Sequence, residues 1–167
     1  MKIKHVTAKE NFVPWLASSW EYDLSGSSEY IDSEVVVEIT EQQADDIEEV
    51  AERMYEMCLE AVDKVIKEER FEEFGISPLQ AEYIKKSWDR REQTGGMLER
   101  DPELAGRFDF CWDGVNPPKF YEFNADCYTT LYECSVIQWA VVNDLIERGE
   151  IPEDSSQFNS LEEKMIE

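Results

Sequence analysis

The sequence predicts an α+β fold in which helices surround a small antiparallel sheet, and three observations carry that expectation. From Ile47 onward, apolar residues recur at helical spacing as far as Val65. Ser77-Pro78 then opens a second helical segment. Finally, two alternating runs flank an Asp-Gly/Pro-Pro turn within residues 106–125, the signature of a β-hairpin.

Residues 1–39 are mixed, with a turn at Ser25-Gly26-Ser27-Ser28, and they can supply further strands. Glu34-Val-Val-Val-Glu-Ile39 reads as a short strand or as the lead-in to a helix. Thr40 then caps a helix, and Gln43 completes a capping box. Ile47, Val50, Ala51, Met54, Cys58, Ala61, Val62 and Val65 form its apolar stripe, running to about residue 67, and core packing is the expected role. Carboxylates crowd its first turns, where they suit the helix dipole.

Gly75 separates this helix from the next, for which Ser77, Pro78 and Gln80 supply cap, first-turn proline and capping-box partner. Tyr83, Ile84 and Trp88 form its expected apolar side, and Gly95-Gly96 ends the region. After the hairpin, a helix from about Leu131 to Arg148 carries Leu131, Val136, Trp139, Ala140, Val142 and Ile146, with Gly149 and Pro152 as stop signals. A last helix begins near Ser160. No internal repeat or low-complexity linker divides the chain, so residues 1–167 are expected to form one domain.

Composition narrows the function classes. The chain has 167 residues, 42% of them apolar, enough for a single core. A net charge of −23 repels phosphate backbones and anionic lipid, which argues against nucleic acid or membrane as partner. The same charge attracts metal ions and polyamines, or serves only solubility. No apolar run approaches the roughly 20 residues of a membrane span, and Met1-Lys-Ile-Lys-His5 precedes no apolar signal core, so a cytoplasmic location is expected. Cys58, Cys111, Cys127 and Cys134 make no Cys-x-x-Cys pair and only His5 is present, so neither a zinc site nor imidazole-based nucleophilic catalysis is expected.

The hairpin concentrates the chemistry. Alternation puts Phe108, Phe110 and Trp112 on one face of the first strand and Tyr121 and Phe123 on one face of the second. Pairing Phe108 with Phe123 and Phe110 with Tyr121 gives a wholly aromatic face, expected to be buried. The same register sets Asp109 opposite Glu122 and Arg107 opposite Asn124. Carboxylates directly across a ladder repel unless a cation lies between them. Mg²⁺ favours one or two carboxylates with phosphate and water, and Asp109, Glu122 and the Asn124 amide oxygen form such a set, with Arg107 placed to reach a phosphate oxygen. Alternatively, the charges face water and Arg107 only neutralises the acids.

The runs Gly106-Arg107-Phe108-Asp109-Phe110 and Phe120-Tyr121-Glu122-Phe123-Asn124-Ala125-Asp126 resemble the signature of the glutathionylspermidine synthase family. Looser similarity extends through Met54–Val62, Glu133, Val136–Trp139 and Gln157–Lys164, so the resemblance covers most of residues 30–167. It implies an ATP-grasp fold, present here in part, and an ATP-dependent ligase that phosphorylates a peptide carboxylate of the glutathione type. An amine of the spermidine type then attacks the acyl-phosphate to give an amide and ADP. It further implies that Asp109, Glu122 and Asn124 ligate Mg²⁺, that Arg107 and Asp109 contact the nucleotide, and that Arg107 stabilises the acyl-phosphate. Asp126, Cys127, Tyr128 and Thr129 fall where the family meets its peptide substrate, although Cys127 stands where those synthases carry Ser or Thr. Length departs as well: no later lysine-bearing, glycine-containing nucleotide region follows, so a truncated N-terminal portion is expected. The rival readings are a non-catalytic acidic binding module or partner subunit derived from that family, and an acidic structural protein.

Overall fold

A computed structural model describes residues 1–21, 30–91 and 105–166; the expected turn at Ser25–Ser28 and the Gly95-Gly96 break lie outside them. Strand β1 (Lys2–His5) pairs antiparallel with β2 (Val35–Glu38), so the ambiguous valine run is a strand. Lys2 stands opposite Glu38 and Ile3 opposite Val37, an ion-complementary rung beside an apolar one. A second two-stranded sheet joins β3 (Arg107–Cys111) to β4 (Lys119–Asn124). The fold is α+β as expected, and among the described residues its antiparallel strands form two small sheets, one of them supplied by the amino-terminal strands.

Five α-helices accompany them among the described residues: α1 (Phe12–Trp20), α2 (Glu41–Lys67), α3 (Pro78–Arg91), α4 (Gln138–Glu147) and α5 (Leu161–Ile166). Both expected capping boxes are formed. The Gln43 amide donates to Thr40 Oγ1 at 3.2 Å while Gln43 Oε1 accepts from the Thr40 amide at 3.1 Å. At α3, Gln80 Oε1 accepts from the Ser77 amide at 2.9 Å. No helix among the described residues is long and apolar enough to cross a membrane.

The chain folds into two units. The first comprises Met1–Asp45, Cys111–Lys119 and Tyr128–Glu167. Its core is built on Leu16 and Ile137, both essentially inaccessible, with Phe12, Val13, Trp15, Trp20, Ile31 and Val141 packed around them. Helix α1 was not legible in the sequence: its apolar residues do not alternate cleanly with polar ones, and Asn11 enters it in the left-handed conformation without a side-chain cap. The chain turns helical at residue 131, but residues Glu133–Ile137 form a π-turn before α4. That extra residue rotates the inward face. Ile137, Ala140 and Leu145 are buried, while Trp139 of the expected stripe is partly exposed.

The second unit comprises Asp46–Phe110 and Phe120–Cys127. Here α2 packs through a half-buried stripe of Ile47, Val50, Ala51, Met54, Cys58 and Val65, whereas Ala61 and Val62 face outward. A 3₁₀ turn (Arg70–Phe74) buries Phe71 and ends at Gly75, whose φ of 68° suits glycine. Helix α3 turns Ala81, Ile84 and Trp88 inward, and Trp88 Nε1 donates to Asp63 of α2 at 3.3 Å. Tyr83, expected on that side, is 66% exposed, because adjacent helix positions diverge by about 100° and Ile84 takes the inward one.

Candidate metal and phosphate site

Strands β3 and β4 bring the charged residues of the hairpin together in the second unit. On β3, Arg107 and Asp109 share one face by the two-residue period. Arg107 Nε donates to Asp109 Oδ1 at 2.8 Å and Nη2 to Oδ2 at 3.4 Å, a fork along one strand. The Asp109 carboxyl lies below its usual range, chiefly because it accepts from Arg107, with partial desolvation working against the shift. Glu122 of β4 approaches Asp109 as well. Asn124 Nδ2 donates to Glu122 Oε1 at 3.0 Å, closing the row.

Arg107 is correspondingly raised, first by its hydrogen bond to Asp109, with Cys127 and Glu122 adding attraction. Its Nη1 lies 3.9 Å from Cys127 Sγ. This approach was missed from sequence, because Cys127 follows the end of β4 and alternation carries no information there.

The opposite face is aromatic, as expected, though its membership differs. Phe108 stacks on Phe123 with ring centroids 4.3 Å apart, and on Phe110 at 5.7 Å. Phe120 completes the cluster, 5.9 Å from Phe108 and 6.2 Å from Phe110. Tyr121, expected opposite Phe110, is 69% exposed. Phe120 and Phe123 lie three residues apart yet both reach Phe108, so strict two-residue alternation is not kept between them. The face is half-buried rather than fully enclosed. Gly106 begins the arrangement, since a Cβ there would lie 2.6 Å from Phe123 Cε2.

The loop after β4 is conformationally unusual. Asp126 has φ 49° and Thr130 φ 71°, left-handed values that are uncommon for residues other than glycine and a true outlier for a β-branched one. Asp126 and Cys127 belong to the second unit, Tyr128 and Thr129 to the first; Tyr128 and Thr129 are exposed.

As a donor set, two carboxylates and an amide group suit Mg²⁺ bound jointly by protein, phosphate and water. They do not suit a closed protein cage: among the described residues no three His, Cys, Asp or Glu side chains converge.

A family model described as glutathionylspermidine synthase preATP-grasp matches residues 4–167. The chain therefore belongs to the glutathionylspermidine synthase family, and the match reaches further toward the amino terminus than the motifs alone. A relative from Haemophilus influenzae, named "Putative acid--amine ligase", is 34% identical over 142 residues, covering 85% of this chain and 33% of its own length. The chain thus spans about a third of that relative.

Proposed function

We propose that residues 1–167 form one domain, the N-terminal part of an ATP-dependent acid–amine ligase that works in the cytoplasm on small molecules. The reading is carried by one observation: in a chain of this family, Arg107, Asp109, Glu122 and Asn124 converge on the polar face of one hairpin. Asp109, Glu122 and the Asn124 amide oxygen would hold Mg²⁺ together with ATP phosphates. Bound there, Mg²⁺ supplies charge neutralisation for phosphoryl transfer.

Arg107 has the complementary task. Its planar guanidinium, oriented by Asp109, offers donors to the phosphoryl oxygens as the substrate carboxylate becomes an acyl-phosphate. The substrates are a peptide carboxylate of the glutathione type and an amine of the spermidine type. Asp126, Cys127, Tyr128 and Thr129 meet the peptide, and the left-handed residues at 126 and 130 favour a loop built for contact over one built for packing. The net charge of −23 suits a polyamine.

Calorimetric titration of Mg²⁺ and then Mg-ATP into the wild-type chain and a Glu122→Gln variant tests the site. Binding in wild type that disappears in the variant supports it. No binding by the folded chain, together with no amide product from a full-length protein given ATP, glutathione and spermidine, would favour the non-catalytic module.

A further inference from the structure

The segment before α5 returns to the π-turn and grips it. Gln157 Nε2 donates to the Ser135 carbonyl at 3.1 Å, and Asn159 Nδ2 donates to the Cys134 carbonyl at 3.2 Å. These are successive carbonyls inside the π-turn. Where helical bonding passes from five-residue back to four-residue spacing, a carbonyl loses its ordinary intrahelical donor and needs another. Two side-chain amides from one short segment donate to carbonyls at that transition.

The grip continues toward the loop after β4 by hydrogen bonds of the same unit. The Cys134 amide donates to the Thr130 carbonyl at 2.9 Å, and Ser135 Oγ to the Leu131 carbonyl at 2.6 Å. The Leu131 amide in turn donates to the Tyr128 carbonyl at 3.1 Å. Ser135 is the buried polar side chain among the described residues. Thr130 holds φ 71° at the junction, a conformation that persists only when its surroundings over-determine it.

We infer that Gln157 and Asn159 are positioning residues: their amide donors hold the π-turn, and through it the Tyr128–Thr130 backbone, in the shape that receives the peptide substrate. This rests on the loop's proposed role in substrate binding. Asn159 permits a clean test because its two amide atoms do different work. Oδ1 accepts from the Leu161 amide at 3.3 Å at the start of α5, while Nδ2 serves the π-turn. Asn159→Asp keeps the acceptor for Leu161 and replaces the donor with a carboxylate oxygen that the Cys134 carbonyl repels.

The experiment uses a full-length protein containing this chain, as wild type, Asn159→Asp and Gln157→Glu. Hydrogen exchange across residues 128–137 is measured beside steady-state kinetics with ATP, glutathione and spermidine. Exchange in that segment should rise about fivefold or more beyond any change in the global unfolding temperature, the effect of one lost hydrogen bond and, for Gln157→Glu, of a carboxylate placed where Gln157 Oε1 is buried without a partner among the described residues. KM for glutathione should rise about tenfold with kcat within about twofold, the mark of lost ground-state binding. Unchanged exchange in both variants overturns the clamp. Faster exchange with unchanged KM overturns the positioning role. A wild type that forms no amide product overturns the ligase reading and the substrate role with it, while the exchange data still decide whether the clamp exists.

Discussion

Arg107 grips Asp109 two residues along its own strand, with Nε 2.8 Å from Oδ1, so the arginine is oriented by a carboxylate instead of waving free. A lysine there would keep the charge but lose the planar fork. In a full-length ligase, Arg107→Lys should therefore lower kcat by about 10²-fold or more with a smaller effect on KM for ATP. Steady-state phosphate release measures this. Near-wild-type kcat would reduce Arg107 to a neutraliser of nearby acids.

Asp113 organises the hairpin turn and gives a pH-dependent prediction. Its carboxyl accepts from the Asn116 side-chain amide at 2.6 Å and from the Asn116 and Val115 backbone amides at 2.8 and 2.9 Å, which lowers its pKa to about 2. Because the folded value lies below the unfolded one of about 3.9, the stabilisation is fully present above that higher value. It fades as pH falls toward about 2. Urea midpoints should show wild type exceeding Asp113→Asn at about pH 6, with the gap narrowing below about pH 5 and closing only as pH falls past about 2. A gap constant with pH would mean that the carboxylate charge contributes nothing to the turn.

Gly106 is required by proximity rather than by φ. A Cβ there would come within 2.6 Å of Phe123 Cε2 and 3.4 Å of the Asn124 carbonyl. Gly106→Ala must push Phe123 off Phe108 or move the start of β3, at a cost of about 1–3 kcal/mol. Denaturant unfolding followed by near-ultraviolet circular dichroism reads both the loss and the disturbed aromatic cluster. Full retention of stability and signal would show that the ring relocates freely.

The two capping boxes should contribute separately. Thr40→Ala and Ser77→Ala each remove a hydroxyl from a formed box and should each cost about 1 kcal/mol. The sites are remote in sequence, so the double variant should lose about the sum. Gln43→Ala should exceed Thr40→Ala. Besides the box, Gln43 Oε1 accepts from the Met1 amino group at 2.8 Å and Nε2 donates to the Gly114 carbonyl at 2.6 Å.

That last comparison shows where legibility in the sequence stops. Thr40 with Gln43, and Ser77 with Gln80, were readable because a capping box is local chemistry at fixed spacing. The long-range role of Gln43 was not, since nothing local joins it to Met1 and Gly114. Likewise the pleat foretold Phe108 against Phe123 and Asp109 beside Glu122, both consequences of a two-residue period. It failed at Phe120 and Tyr121, where β4 departs from strict alternation. The π-turn at 133–137 has no composition signal and turned the following helix by one position. Cys127, after the left-handed step at Asp126, meets Arg107 where alternation gives no guide.

The carboxylate pair itself separates function from stability. Asp109 and Glu122 approach one another in a chain already carrying a net charge of −23. Like charges facing one another across a ladder oppose folding. Neutralising one should help the metal-free fold, so Glu122→Gln should unfold at a slightly higher temperature than wild type without Mg²⁺. The replacement keeps an oxygen to accept from Asn124 Nδ2. Adding Mg²⁺ to tenfold above its Kd stabilises a binding protein by about 1.4 kcal/mol. Wild type should gain that stability and the variant should not, so the order of the two melting temperatures should reverse. If Mg²⁺ raises both equally, the ion binds elsewhere and the hairpin carboxylates are not its ligands. If the variant is less stable even without metal, Glu122 serves the fold through charge, and the pairing with Asp109 is not the liability argued from the ladder.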